Sequence, residues 1–536
     1  MPNSVPSRPS LLVVLALAVG FALAHTQSPL FYSNQNQYLL HGLAAAGYRH
    51  LDHDWLATTR DPTPLFSAGV ALAYSCAGLW SLQVAYFGLL VGYFLAAWWL
   101  VCAIPGLSAT NRAAISFAAV FMVAHAAIFR LASVWLTGTD YPWNFQAGVA
   151  GQYVLGPGLQ PSVFGVLLVA SVAAFANNRP LLAAGMGAVA AILHPTYLLP
   201  AALLTVGIMI GLCTGGRWRT AVGAGGLALV IVTPVVAYSL ATFPIDDTGS
   251  FAESQRILAE VRIPHHSVVA RWFDLVAGLQ VAWIAIGIGS VRKTRLFLPL
   301  LVPAVGAVAL TLVQVATHDH TLALLFPWRI SSVLVPVSTA ILAAKLVARF
   351  PQSRFWSWLS GVVFVGSVLG GVGVTVLGLG YRMNEAEQPL LEYIHEHVAT
   401  GDVYLIPTRI PPVGAGRGSV STSFTPPPRP KPGSNLIPVD LQRFRLATGV
   451  PIFVDFKSVP YAHTEVLEWF RRVRLVEAWY GEKDWDRAGI RAQLVSEGIT
   501  HVVIPRHEPI RASFLEPLYE DEAYAVYRVH AKEQNR

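Results

Sequence analysis

The chain has 536 residues, 54% of them hydrophobic and only 12% charged, with a mean hydropathy of +0.51. Soluble domains carry about twice that density of charge, so an ordinary water-soluble enzyme is excluded and an integral membrane protein is expected. The net charge of +7 is no nucleic-acid footprint: the tail after Tyr381 holds 19 Lys/Arg against 20 Asp/Glu, and the part before it 18 against 10.

Apolar runs recur from Leu11 to Gly380 and then stop, dividing the chain into a polytopic region, 1–381, and a globular tail, 382–536. Leu11–Ala24 follows Arg8 and reads as a first span, although its Ala22-Leu23-Ala24 ending also suits signal-peptidase cleavage. Further spans are expected near 82–104, 111–131, 161–177, 180–194, 197–214, 220–241, 271–291, 296–316, 321–345 and 356–380, about eleven helices in all. Cys76, Cys102 and Cys213 lie in apolar segments without pairing or metal-ligand spacing and read as small buried hydrophobes.

The linkers set the orientation. Arg8, Arg112, Arg179, Arg217, Arg219, Arg292, Lys293, Arg295, Lys345, Arg349 and Arg354 fall on one side, and no carboxylate joins them. Asp52, Asp54, Asp61, Asp140, Asp246, Asp247, Glu253, Glu260, Asp274 and Asp319 fall in or beside the opposite loops. The positive-inside rule makes the basic side cytoplasmic, so the N-terminus is inside and the acidic loops and tail are outside. The count closes only if Pro64–Leu79 lies along the outer interface without crossing.

The first outer loop, 25–81, is far longer than two spans need to be joined and is rich in aromatic residues, which points to function. Within it, Asp52-His53-Asp54 and Trp55 offer a general base or metal ligands at a membrane surface, or else a solvated turn and a helix cap. The loop Gly138–Ser162, with Tyr141, is broken by Gly and Pro and almost uncharged, as suits a segment packed on or into the bilayer. His194 turns one span into the next at the outer face, and His318-Asp319-His320 makes another outer turn that could bind a metal or a phosphate. Arg329, beside Pro327, lies roughly 12 Å into its span by the helical rise. An intramembrane Arg is by default functional, with snorkelling as the rival reading.

The tail reads as a small α/β domain: helix Glu385–Val398, strand Val403–Ile406, a Pro/Gly-rich loop at 411–435, strand Val450–Phe456, helices Thr464–Val473 and Trp485–Glu497, and strands His501–Ile504 and Tyr524–Val529. Its Arg443, Arg445, Lys457, Arg471, Arg472 and Arg474 could face acidic headgroups or a pyrophosphate, or form a solvated face.

This layout of a first span, a long outer loop with an Asp pair among aromatics, an interfacial helix, about ten more spans and an outer tail resembles the GT-C superfamily of integral membrane glycosyltransferases. Segments such as LDHDWLATTRDPTPLFS, LHPTYLLP, LFPWRISSVLVP and FRLATGVPIFVDFKS also resemble those of uncharacterised bacterial membrane proteins. The resemblance implies a bacterial inner-membrane enzyme that takes a sugar from a polyprenyl-phosphate carrier at the outer interface, with inversion. It implies Asp54 or Asp52 as general base, Arg329, His318 and His320 on the donor phosphate, and Trp55, Tyr141 and His194 near substrate. Asp52 and Asp54 become metal ligands if a divalent cation is required. The loop helices are expected near Gln35–Tyr48 and Pro64–Leu79. Rival readings are a transporter or flippase for a lipid-linked or anionic substrate, and a non-catalytic envelope assembly factor.

Overall fold

The computed structural model describes residues 9–107, 109–351, 353–411 and 441–530; the expected loop at 411–435 lies, Pro411 apart, outside them. Each of the eleven expected spans overlaps an apolar helix. Six helices are long and apolar enough to cross a membrane: Trp80–Val101, Pro195–Thr214, Trp218–Thr242, Phe297–Thr317, His320–Val347 and Arg354–Val376. Asn111–His125 and Ala127–Thr137 make a seventh as a pair bent by 41°. Leu11–His25, Pro161–Ala176, Pro180–Leu193 and Leu275–Ser290 are shorter apolar helices. Polar caps mark where several begin: Ser10, Thr110 and Asp274 each accept a hydrogen bond from a backbone N–H three residues on. Cys76 and Cys213 lie on exposed helix surfaces, not buried ones.

The basic linkers gather at one end of the bundle. There the Ser10 amide donates to Asn111 Oδ1 (2.9 Å), Arg217 Nη1 donates to Asn178 Oδ1 (2.7 Å), and Lys345 donates to the Ser290 carbonyl. At the other end, the first outer loop forms two short helices, Gln35–Tyr38 and Leu40–Ala45, and the apolar helix Pro64–Ala77. Helix Leu40–Ala45 sits directly on Pro64–Ala77. A Cβ on Gly42 would lie 2.6 Å from the Ser67 carbonyl oxygen, so only glycine permits this approach.

A buried ion pair braces the same end. Arg130 donates to Asp140 Oδ2 from Nε (2.9 Å) and Nη2 (2.7 Å), and from Nη1 to Tyr381 Oη (3.0 Å), tying a helix and its loop to the chain entering the tail.

The tail holds a four-stranded sheet in the order β1 (Tyr404–Leu405), β2 (His501–Pro505), β4 (Tyr524–Val529), β3 (Leu515–Glu520). The β1–β2 pair is parallel and the other two are antiparallel. Helices Gln388–His397, His463–Gly481 and Ile490–Ser496 pack against it. Three details depart from the sequence reading. Strand β3 was not foreseen, and the helix expected from Trp485 starts only after Gly489, whose φ of +65° turns the chain. Val450–Phe456 is not an extended strand; it keeps one parallel bridge to β1, in which the Tyr404 amide donates to the Pro451 carbonyl (3.0 Å) and the Phe453 amide to the Tyr404 carbonyl (2.9 Å), while the Ile452 amide, on the opposite edge, donates to Asp54 (3.0 Å).

That contact belongs to the joint between bundle and tail. Asp54, fully buried, accepts from the Leu56 amide at Oδ1 (2.9 Å) and from Arg445 Nε at Oδ2 (2.8 Å). Arg445, 3% exposed, also donates Nη1 to Asp455 Oδ2 (2.7 Å). Around this triad, His50 N donates to the Gly449 carbonyl (3.1 Å). The Arg472 guanidinium lies 4.2 Å from the centre of the Trp55 ring. Leu446 packs into the core of the bundle itself. The tail is therefore seated on the first outer loop.

Removing one member of a buried ion pair strands the other's charge, at a cost of about 3–5 kcal/mol. Arg445→Met and Asp54→Asn should each lower the stability of the detergent-solubilised protein by that order, read from the denaturant midpoint of tryptophan fluorescence. The double variant should lose less than the sum of the two; strict additivity would mean that the two side chains do not act on each other.

Candidate functional site

Near the outer end of the bundle, one helix is interrupted. His320–Leu324 ends, Phe326 adopts φ +49°, and Pro327–Ile330 makes a 3₁₀ turn before Ser331–Val347 resumes. Arg329 is carried on this break and not, as expected from sequence, inside a continuous span. The broken backbone is satisfied locally: the Arg329 amide donates to the Phe326 carbonyl (2.8 Å), and Ser332 Oγ donates to the Arg329 carbonyl (2.7 Å). The re-entrant loop expected at 138–162 packs against it, with the Val149 amide donating to Ser331 Oγ (2.9 Å).

The Arg329 guanidinium lies 5.2 Å from the centre of the Tyr197 ring, and its Nη2 donates to His194 Nε2 (3.1 Å). Because arginine only donates, that bond fixes His194 as a neutral ring with its proton on Nδ1. His194 Nδ1 and Arg329 Nε are both buried without a hydrogen-bond partner. Among the described residues no carboxylate pairs with Arg329. Two orphaned donors beside an uncompensated positive charge describe a site for an anion.

Three further elements close over this place. Tyr38 of the first outer loop packs edge-on to His194 at 5.9 Å, and the neighbouring Gln37 donates to Tyr461 Oη (3.0 Å) and the Val459 carbonyl (3.3 Å) of the tail. From the outer loop 243–267, His266 Nδ1 donates to the Ala150 carbonyl (2.7 Å). Burial, with the charges of Arg329, Arg262 and Lys457, pushes His266 down to about 4, so it is neutral at physiological pH. From the tail, Lys457 Nζ donates to Ser33 Oγ (2.7 Å). Tyr38, His41, Arg60 and Tyr461 line a crevice between the loop and the tail.

The residues expected from sequence divide sharply. Arg329 and His194 come together. Asp54, expected as the base, is buried in the joint with both oxygens taken, by the Leu56 and Ile452 amides and by Arg445. Asp52 faces away from it, exposed, 3.8 Å from the ring of His53. The two therefore form no shared metal site, and among the described residues no group of three or more His, Cys, Asp or Glu is arranged to hold a metal ion. His318 is exposed at the left-handed end of its helix, and His320 lies 3.6 Å from Glu260; neither meets Arg329. Trp55 lies under Arg472 as part of the joint, and Tyr141 is half exposed, its amide donating to Ser133 Oγ (3.1 Å).

The basic cluster of the tail disperses. Arg443 pairs with Glu387, Arg445 with Asp54 and Asp455, Arg471 with Glu468 and Glu497, and Arg472 with Glu468. Lys457 alone of the paired set's neighbours turns inward to the site. Sequence reading gave no site role to Arg262 or Ser33, and met Tyr38 and Tyr197 only as an aromatic of the first outer loop and as part of the turn after His194; the signal available for Arg262 was that it stands within three residues of His265.

Burial and the nearby charge of Arg262 bring the Lys457 amine down to about 7. In the unfolded chain a lysine keeps its proton to about pH 10.4. Between these values the unfolded state binds more protons, so stability contributed by this group rises with pH across the window. Unfolding midpoints of wild type and Lys457→Met at about pH 7 and about pH 9.5 should show a gain in the wild type that the variant lacks; equal responses would mean that the amine is in water.

A family model described as a domain of unknown function, DUF6798, matches residues 430–476. No curated protein matches the chain. Among solved structures, the chain is similar to that of ArnT from Cupriavidus metallidurans bound to undecaprenyl phosphate, at 12% identity and a TM-score of 0.48 over 97% of each chain. It is likewise similar to the apo state of the same protein, at 12% identity and a TM-score of 0.45 over 97% of each chain.

Proposed function

We propose that this protein is a membrane glycosyltransferase of the GT-C type whose donor is a sugar carried on a polyprenyl phosphate. The observation that carries the reading is Arg329: a cation at a helix break, backed by neutral His194 and Tyr197, with unfilled donors and no carboxylate. A phosphate ester fits that chemistry, because a guanidinium fork and a neighbouring N–H match its oxygens. An apolar groove of about 530 Å³, lined by Leu167, Leu181, Gly185, Met186, Val189 and Leu227, runs along Pro180–Leu193, the helix that ends at His194. It suits the hydrocarbon of a lipid whose headgroup rests at Arg329.

In this reading the acceptor hydroxyl attacks the anomeric carbon in line and the bond to the phosphate oxygen breaks. Arg329 and His194 Nδ1–H meet the charge that develops on the leaving phosphate, and one displacement inverts the centre. Of the two loop aspartates, the exposed Asp52 is the one open to take the proton of an acceptor arriving from water. The reading puts the chemistry on the outer side of a bacterial inner membrane, and the basic linkers at the opposite end of the bundle support that side.

Transfer from a lipid-linked sugar by the purified protein tests this. Arg329→Lys should lower turnover because a point charge cannot reproduce the fork, and Arg329→Met should abolish it while the protein stays folded. Asp52→Asn should slow transfer by about 10²–10⁴-fold if it is the base; a rate within about twofold of wild type removes it from that role. Full activity of Arg329→Met would sink the proposal. Sidedness has its own check: single cysteines placed in linkers 215–219 and 291–295 should resist an impermeant thiol reagent applied to intact cells, whereas one in the exposed part of helix His463–Gly481 should react.

A further inference from the structure

Two cations on the outer side of the site have no part in that reading. Arg262, 7% exposed, donates Nε (3.1 Å) and Nη2 to the Lys457 carbonyl and lies 5.7 Å from the centre of the Phe456 ring. Lys457 has one hydrogen bond, to Ser33. Among the described residues neither has a carboxylate partner. Asp455, whose charge reaches both, is already bound by Arg445 and by the Ser458 amide (2.6 Å). The groups around them are neutral: His265 and His266, their ring centres 4.1 Å apart and tilted by 53°, Tyr38 and Tyr461.

Burial and the neighbouring guanidinium disfavour the ammonium form of Lys457, and an anion seated beside both groups would restore its proton and offset the charge of Arg262. The tie from Arg262 to a carbonyl uses two of its five N–H groups and none of its charge. Arg262 and Lys457 touch Phe456, Ser33 and the Lys457 carbonyl, whereas Arg329 touches His194 and Tyr197, and these two sets of contacts share no residue. The positive charge therefore falls into two centres.

We propose that Arg262 and Lys457 form a second phosphate subsite, separate from Arg329, which holds another phosphate group during the reaction. This rests on the reading of Arg329 as the place of the lipid phosphate. The second group is either the outer phosphate of a polyprenyl diphosphate carrier or a phosphate on the acceptor. One element of the tail thus reaches into the reaction site, and seating the tail completes it.

The test uses the full chain in nanodiscs with undecaprenyl phosphate and undecaprenyl diphosphate as probes. If the donor fills the subsite, the diphosphate binds about tenfold or more tightly than the monophosphate. Arg262→Gln and Lys457→Met then abolish that preference and leave the monophosphate affinity within about threefold. If the two lipids bind wild type alike, inorganic phosphate is titrated into protein saturated with undecaprenyl phosphate. Saturable binding that Lys457→Met removes assigns the subsite to the acceptor. Binding that depends on neither residue in either format overturns the proposal. So does a lowered unfolding midpoint in both variants with unchanged binding, which would make the two cations structural ties. Loss of the underlying reading looks different: Arg329→Met, with Arg262 and Lys457 intact, would then bind undecaprenyl phosphate as wild type does.

Discussion

The buried bridge of Asp54, Arg445 and Asp455 is the interaction on which the outer half of this protein depends. It joins residues 391 positions apart, the first outer loop and the tail, through one guanidinium. An unpaired charge there would be severely penalised, so loop and tail are fixed to each other or the joint opens. Of the parts that close over the site, two are held by this bridge: Tyr38 and Ser33 arrive on the loop, Tyr461 and Lys457 on the tail, while His266 comes from loop 243–267. Asp455 links the joint to the site directly, since the chain reaches Lys457 only two residues after it.

Charge accounting separates structure from function in this molecule. Arg130 is as deeply buried as Arg445 and, like it, is fully met: Asp140 takes two of its N–H groups and Tyr381 another. In the tail, the surface arginines find Glu468, Glu497 or Glu387. The deeply buried Arg130 and Arg445 are each given a carboxylate, whereas Arg217 and Lys345 rest on an amide oxygen and a carbonyl. Arg329, Arg262 and Lys457 have no carboxylate partner among the described residues, and they converge on one region where bundle, loop and tail meet.

What could be read from sequence follows from the range of the interactions involved. Apolar runs are local, so the helices, Pro64–Ala77 among them, were visible without any tertiary information. The importance of the first outer loop was visible too, from its length and its aromatic residues. The role of Asp54 was not. A DxD-like motif looks alike whether its second carboxylate faces water or an arginine far along the chain, and the choice is made by Arg445. Val450–Phe456, whose β-branched and aromatic residues favour a strand, keeps only one bridge, to Tyr404, and Asp54 takes the Ile452 amide on its other edge where a further strand would pair. Lys457 was hidden in a group of six basic residues, of which Arg443, Arg445, Arg471 and Arg472 proved to be paired.

Arg329 was singled out from sequence for a sound reason and in an inexact setting. An arginine within a smooth apolar helix would have to snorkel or be paired. The break at Phe326-Pro327 removes that dilemma. It inserts a 3₁₀ turn and lets the loop 138–162 supply the Val149 N–H to Ser331 while Ser332 donates to the Arg329 carbonyl. With the backbone satisfied in this way, the guanidinium can stay at depth with part of its hydrogen-bonding capacity unused. A site of this kind is favourable only if its occupant brings both negative charge and oxygen acceptors, which is the combination a phosphate ester carries into the edge of a bilayer.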